Sequence, residues 1–476
     1  MQKEFLKNIF FLLFINVLIK PFYIIGIDAQ VQNKVGDSEY GLYFAIFDFC
    51  FLFQVILDLG IQNYNSKYVS ENRESVSDHF AHIVGLKIVL LVGYFLAMFF
   101  AAALLGYPAS YFSLIGFMGL IMTFQTFYLY LRSHFSALGY YRIDTWLSIV
   151  DKVLMIVFIG YLLYGIGDIS IFKFMYAQIA ALVIAVIVAV FLLRKKFSVG
   201  VKFSPTRWKS TLKNSLPFAL VFILMTLYTR MDGVMLERLV DDDTLSAGYY
   251  AKGFRLMDAA NMIGYLFAML LLPMYARLMH EKKSINPLLS MAAQIQFCIT
   301  SIITISCWFY AEEILNLIYI KINQDIIQSF RYLMISFWTM AMSYIYGSLI
   351  IASGQLRELN RIFVAGIIVN WTLNMMLIPK YMAVGAAQAT LITQVFVFIG
   401  QCGIVHNRYV ERINLTNWAK GLFLLGIYFV TAYVLYEYVQ LFYLLELVIF
   451  VIFSTLVSFL TGFLRFNSSM LTHEPN

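Results

Sequence analysis

Long apolar runs separated by short polar segments fill the chain. The runs are continuous rather than alternating, and each has about the 20 residues that an α-helix needs to cross the hydrocarbon core of a bilayer. Fourteen can be drawn, at about 7–27, 40–58, 80–105, 110–136, 144–165, 170–193, 214–238, 246–277, 287–310, 327–352, 359–379, 383–405, 416–437 and 442–464. Backbone groups in lipid must be satisfied within the segment, and without a period of two these runs predict helices, not a barrel. The expected fold class is an all-α polytopic membrane protein of about 14 transmembrane helices. Residues 342–352 are rich in Ser, Tyr and Gly, the composition of a packed helix interface.

Composition agrees. Of the 476 residues 61% are hydrophobic and 13% charged, against about 25% charged in soluble domains, which excludes a soluble domain with a single anchor. The first run follows Lys3 and Lys7, and Ile27-Asp28-Ala29 has the form of a weak cleavage site. The run is longer than a signal-peptide apolar region and contains Lys20-Pro21, so an uncleaved first span is expected. The formal charge of +7 does not point to nucleic acid, because the Lys and Arg residues are sorted by loop. With the N-terminus inside, the even-numbered loops carry Lys67, Arg73, Arg132, Arg142, the cluster from Arg194 to Lys213, Arg277, Lys282, Lys283, Arg357, Arg361, Arg408 and Arg412, and the tail carries Arg465. This positive-inside bias predicts cytoplasmic termini.

The basic segment 194–213, with Ser204-Pro205 and no apolar period, reads as a linker. Ser215 is the expected N-cap of the next helix, with Pro217 in its first turn. A weak repeat places a boundary here. Gly41-Leu-Tyr43 through Asp48 matches Gly248-Tyr-Tyr250 through Arg255, Ala137-Leu-Gly139 with Arg142 matches Ala352-Ser-Gly354 with Arg357, and Ala177-Gln178 matches Ala387-Gln388, at offsets of 207, 215 and 210. Two six-helix lobes of the same orientation follow: 1–197, a linker 198–213, and 214–406, with 407–476 as two additional helices and a tail.

The charges that remain inside the apolar runs are the candidate chemistry. A charge at membrane depth costs at least about 2.5–3.5 kcal/mol by insertion scales, so it faces a partner or a watery cavity. The hairpin 214–258 holds five, around the acidic loop 241–243: Arg230, Asp232, Lys252, Arg255 and Asp258. Arg230 and Asp232 are two apart and point about 200° apart on a helix, so they do not pair with each other. Lys252, Arg255 and Asp258 form one stripe. Lys20 and Arg230 both lie about 20 Å from the inner end of their spans, and Asp48 occupies the repeat position of Arg255. Lys87, Lys152 and Asp151 lie deeper toward the cytoplasm, and Asp58 reads as a loop-end charge. Substrate-binding candidates are therefore Arg230, Arg255, Lys252, Lys20, Lys152 and Lys87. Asp232, Asp258, Asp48 and Asp151 are the ion-coupling or counter-ion candidates. An excess of Lys and Arg suits phosphate groups, and the carboxylates suit H+ or Na+ or serve as counter-ions. Snorkelling at Lys20 and Lys87 is the structural alternative. The four cysteines and six histidines show no metal spacing beyond one i, i+3 His pair, and there is no phosphate-binding glycine loop or catalytic set. No enzymatic role and no cofactor other than a coupling ion is expected.

Leu216-Pro217 through Tyr228-Thr-Arg-Met-Asp232, then Gly248-Tyr-Tyr-Ala-Lys-Gly-Phe-Arg-Leu-Met-Asp258, resembles the seventh and eighth spans of Wzx-type polysaccharide flippases. Ala137-Leu-Gly139 with Arg142, and Ile378-Pro379 followed by Gly385-Ala-Ala387, resemble the same family, which belongs to the multidrug/oligosaccharidyl-lipid/polysaccharide exporter superfamily. The resemblance implies two six-helix lobes forming a V-shaped central cavity, plus two C-terminal helices. It implies alternating access and translocation of undecaprenyl-pyrophosphate-linked oligosaccharide units across the bacterial inner membrane, for O-antigen, lipopolysaccharide or a related surface glycan. Membrane lipids, a polysaccharide polymerase and chain-length proteins are the implied partners. Two other readings stand beside it. A cation-coupled multidrug or metabolite antiporter predicts a smaller, more acidic lumen. A membrane glycosyltransferase or polymerase needs a sizeable outer loop, and the longest here are 28–39 and 311–326.

Overall fold

The computed structural model describes residues 15–464 except 17, 243, 410–414 and 440. Its described elements are helices. A π-helical turn, Tyr23–Asp28, leads into α1 (Ala29–Val35), α2 (Asp37–Phe53), α3 (Val55–Asp58), α4 (Ile61–Glu71), α5 (Val76–Leu104), α6 (Tyr111–Ala137), α7 (Tyr141–Gly160) and α8 (Ile171–Arg194). These are followed by α9 (Pro205–Leu239), α10 (Leu245–His280), α11 (Asn286–Phe309), α12 (Ala311–Ile318), α13 (Gln324–Ala352), α14 (Leu356–Tyr409), α15 (Leu415–Val434) and α16 (Tyr443–Leu460).

Twelve described helical segments are long and apolar enough to cross a membrane. One of them, α14, merges the expected spans at 359–379 and 383–405 across a kink at Met382, whose φ of 50° is not helical. The expected first span begins outside the described residues, as do Lys3 and Lys7; from 15 onward, 17 apart, it is helical. Asp243, Arg412, Arg465 and the tail beyond 464 also lie outside the described residues. The all-α polytopic fold expected from the apolar runs is the one observed.

Three expectations are corrected. Residues 28–39 are not an outer loop: α1 and the start of α2 occupy them, joined at Gly36, whose φ of 92° turns the chain sharply. Val31 is fully buried there, and Asp28 and Gln32 are buried with it. Residues 311–326 hold the short helix α12, which buries Ala311 and Leu315. The third correction concerns 194–213. The new helix starts at Pro205, not at Ser215. Proline suits the first helical position because its fixed φ is helical and its missing N–H has no partner to lose. The charges of Arg207, Lys209 and Lys213 had hidden Trp208 and Leu212, one turn apart, which pack onto a core that includes Phe80, Leu131 and Leu193.

The chain packs as two compact units, Met1–Ala259 with Phe363–Ala389, and Ala260–Ile362 with Thr390–Asn476. The polypeptide passes between them inside α10 and inside α14. This grouping follows packing and cuts the chain elsewhere than the repeat does.

In the first unit α2 is enclosed: Tyr40, Phe44, Ile46, Phe49 and Cys50 point to different sides and are each at most 1% exposed. It lies backbone to backbone against the α9–α10 hairpin. A Cβ at Gly41 would stand 2.1 Å from Thr244 O, and one at Gly248 would stand 2.0 Å from Asp37 O. Only glycine permits that approach, and these are the two glycines matched by the repeat. In the second unit α11 and α13 run antiparallel, with Thr304 Oγ1 donating to Met334 O (3.0 Å) and Trp338 Nε1 to Ser301 Oγ (2.9 Å). A core of Cys298, Ile302, Tyr428 and Phe450 joins α11 to α15 and α16.

Candidate functional site

The close approach of α2 to α9 and α10 brings together the charges of the hairpin and the carboxylates of the N-terminal segment. Arg230 on α9 bridges two of them, with Nη1 3.4 Å from Asp48 Oδ1 and Nη2 3.2 Å from Asp258 Oδ2. The planar fork of arginine suits two such contacts at once. It does not pair with Asp232, as the two-residue spacing requires. Arg255 Nε stands 3.1 Å from Asp28 Oδ2 and donates to Tyr40 Oη at 3.2 Å; Tyr40 Oη donates to the same Asp28 oxygen at 2.7 Å. Lys252 Nζ is 2.8 Å from Asp37 Oδ1, where Gln32 Nε2 also donates (3.0 Å). All three members of the 252/255/258 stripe thus face partners inside the first unit.

Aromatic rings complete the surroundings of both guanidinium groups. The Arg230 Cζ lies 4.9 Å from the Phe254 ring centre, 5.1 Å from Phe51 and 5.8 Å from Phe47. The Arg255 Cζ lies 5.2 Å from Phe47 and 5.5 Å from Phe44. Phe47 is shared. A cation over a ring gains about 0.5–1 kcal/mol when exposed and about 2 when desolvated, which offsets part of the cost of burying it. The burial is uneven: Asp48 is 1% exposed, whereas the Arg230, Arg255 and Asp258 side chains are 16%, 13% and 25% exposed.

Asp232 belongs to a second, neutral-lined group. Its Oδ1 accepts from Asn370 Nδ2 (3.2 Å) and Asn374 Nδ2 (2.6 Å), and its Oδ2 accepts from Tyr250 Oη (2.8 Å). Asn370 and Asn374 are fully buried. The Asn374 Oδ1 is buried without a hydrogen-bond partner. Among the described residues no three His, Cys, Asp or Glu side chains are grouped to hold a metal.

The other candidates are not joined to the Arg230–Arg255 cluster by any described ion pair. Lys20 is half-buried. Lys152 lies 3.7 Å from its neighbour Asp151 and 4.9 Å from the Tyr23 ring centre. Lys87 is held at the end of α3 by Asp58 Oδ1 (3.1 Å) and the Leu57 carbonyl (3.1 Å), so Asp58 is its counter-ion. Sequence reasoning missed Asp28, Asp37, Tyr40, Phe47, Tyr250, Asn370 and Asn374. Asn370 and Asn374 carried a signal, being one turn apart in an apolar run; Asp28 and Asp37 were concealed by the loop assignment of 28–39.

A charged, aromatic-lined cluster thus lies among helices long and apolar enough to cross a membrane. Solved structures share the fold, and three of them illustrate the range. A lipid II flippase, MurJ, in an inward closed conformation superposes with a TM-score of 0.74 at 12% identity, covering 95% of this chain and 98% of that one. An outward-facing multidrug resistance MATE family transporter of the MOP superfamily gives 0.60 at 14% identity, over 84% and 96%. A MOP superfamily transporter from Pyrococcus furiosus gives 0.59 at 13%, over 84% and 94%. The chain belongs to the polysaccharide biosynthesis protein family, whose model matches residues 5–279. No curated protein matches the chain. The family and the fold agree with the resemblance to Wzx-type flippases of the MOP superfamily drawn from the sequence.

Proposed function

We propose that the protein flips undecaprenyl-pyrophosphate-linked oligosaccharide units from the cytoplasmic to the outer leaflet of a bacterial inner membrane, for cell-surface polysaccharide synthesis. The observation that carries this reading is the pair of guanidinium groups, Arg230 and Arg255, that share Phe47 and are each held by carboxylates. Phosphate oxygens make the same charge-assisted bonds to arginine as carboxylates do. A diphosphate can therefore exchange with Asp48 and Asp258 on Arg230 and with Asp28 on Arg255, while its lipid tail stays among acyl chains. No bond of the substrate is made or broken, so the chain acts as a carrier and not as an enzyme. The fold shared with a lipid II flippase and the match to polysaccharide biosynthesis proteins support this reading.

Exchange leaves Asp48 deep in the unit without its cation, and a buried carboxylate in that position takes up a positive charge. This favours coupling to an ion gradient, with H+ or Na+ as the ion. The Asp232 group is its second seat, because the unpartnered Asn374 Oδ1 offers a neutral oxygen beside a carboxylate. Alternating access is the motion proposed, with the repeat-related lobes 1–197 and 214–406 as its moving parts, both termini cytoplasmic, and polymerase and chain-length proteins acting on the product. The test is made in cells lacking their own copy. Arg230→Ala and Arg255→Ala should each abolish surface glycan while the protein stays in the membrane; normal glycan display with both changed contradicts the assignment.

A further inference from the structure

The second unit contains a junction that transport of a charged headgroup does not explain. Along the roughly two turns of α13 from Met340 to Gly347, two other helices each place a buried amide against it, and a third, α11, carries one at the same level. Asn261 of α10 donates through Nδ2 to Met340 Sδ (3.2 Å) and Tyr344 Oη (3.4 Å). Gln401 of α14 lies against Gly347, whose Cβ would stand 3.3 Å from Gln401 Oε1. The antiparallel register set by Thr304–Met334 and Ser301–Trp338 puts Gln296 of α11 level with Ser343. Gln296 is fully buried, Gln401 is 3% exposed, and Asn261 and Ser343 are 8% exposed. Yet Asn261 Oδ1, Gln401 Oε1, Ser343 Oγ and both amide atoms of Gln296 have no hydrogen-bond partner.

Buried polar groups are hydrogen-bonded almost without exception, and inside a membrane span there is no bulk water to bond them. The occupant must donate to the amide oxygens and accept from Gln296 Nε2. It must also be neutral, because residues 260–276, 286–309, 332–352 and 390–405 contain no Asp, Glu, Lys or Arg to balance an ion. Water fits, since a buried water makes about three such bonds.

We propose that this amide junction is a binding site for ordered water, which mediates the packing of α10, α11 and α14 on α13. The test is the thermal unfolding of the full-length protein in lipid nanodiscs. Gln296→Leu and Gln401→Leu keep the volume and remove the amide. If water bridges the groups, each substitution strands it, the midpoint falls by about 1–3 °C, and the double variant loses less than the sum because the water is shared. If the amides are dry, removing an unsatisfied group raises the midpoint, which overturns the proposal. Should the leucine variants not fold, Ser343→Ala serves, with a lowered midpoint expected and an unchanged or raised one contradicting. A midpoint that shifts between sodium and choline chloride at equal ionic strength, and stops shifting in Gln296→Leu, shows a cation in the junction and also overturns the proposal. Sodium dependence that survives Gln296→Leu leaves the junction as water and places the ion elsewhere.

Discussion

The buried polar groups of the two compact units differ in kind. In the first, Arg230, Arg255, Lys252 and Lys87 are embedded as ion pairs with Asp48, Asp258, Asp28, Asp37 and Asp58. In the second, the ion pairs at Glu281 and Glu358 stand at helix ends with every partner at least 29% exposed. Its buried polar side chains are amides and hydroxyls, with Glu446 as the one buried carboxylate among the described residues, bonded to Tyr310 Oη and Leu441 N. Removing one member of a buried pair leaves an uncompensated charge and costs about 3–5 kcal/mol, whereas an exposed pair contributes about 0–1. Sensitivity to single changes in charge should therefore be concentrated in the first unit. The proposed binding of an anionic headgroup rests on the buried cations of that unit.

The largest effect is expected where charge pairing depends on touching backbones. Gly248→Val drives a side chain into Asp37 O and separates Lys252 from Asp37, so folded protein should be lost from size-exclusion profiles of solubilised membranes. The matching change in the second unit, Gly347→Ala, meets only the flexible end of Gln401 and should leave the profile intact. Next comes Arg230→Ala, expected to lower translocation by about 30–1,000-fold, the factor for about 2–4 kcal/mol. Arg331→Ala in the second unit removes a bond to the Trp308 carbonyl and a contact with the Trp308 ring but breaks no described ion pair, and translocation should fall less than about twofold. Asp232→Asn should keep the protein folded and weaken the response of transport to an imposed H+ or Na+ gradient by about fivefold or more, with Asp48 left as the remaining seat. The smallest effect is predicted for Arg361→Ala, whose partner Glu358 is an exposed i, i+3 neighbour; the unfolding midpoint should move by less than about 1 °C.

Much of this contrast was legible in the sequence. Apolar run length located the helices, and the charges of 214–258 stood out because lipid tolerates few. The helical angle between Arg230 and Asp232 ruled out their pairing, as observed. The partners were not legible. Asp28 and Asp37 reach Arg255 and Lys252 from more than 200 residues away, and no local pattern encodes such a contact. Polar letters at 28–39 and 194–213 suggest loops, although Val31 is buried and Trp208 and Leu212 are half-buried against the core; single apolar residues among charges give a weak period. The Ser-, Tyr- and Gly-rich run at 342–352 marks packing, but the amides that gather around it come from residues as far apart as Asn261 and Gln401, which no local pattern links.

The central claim is that Arg230 and Arg255 hold a diphosphate headgroup. Its most direct measurement is translocation of a fluorescent polyprenyl-diphosphate oligosaccharide by the purified protein in proteoliposomes, with inorganic diphosphate added as competitor on the substrate side. The account predicts transport that inorganic diphosphate inhibits in the wild type and that is abolished in Arg230→Ala/Arg255→Ala. Undiminished transport by the double variant would contradict it.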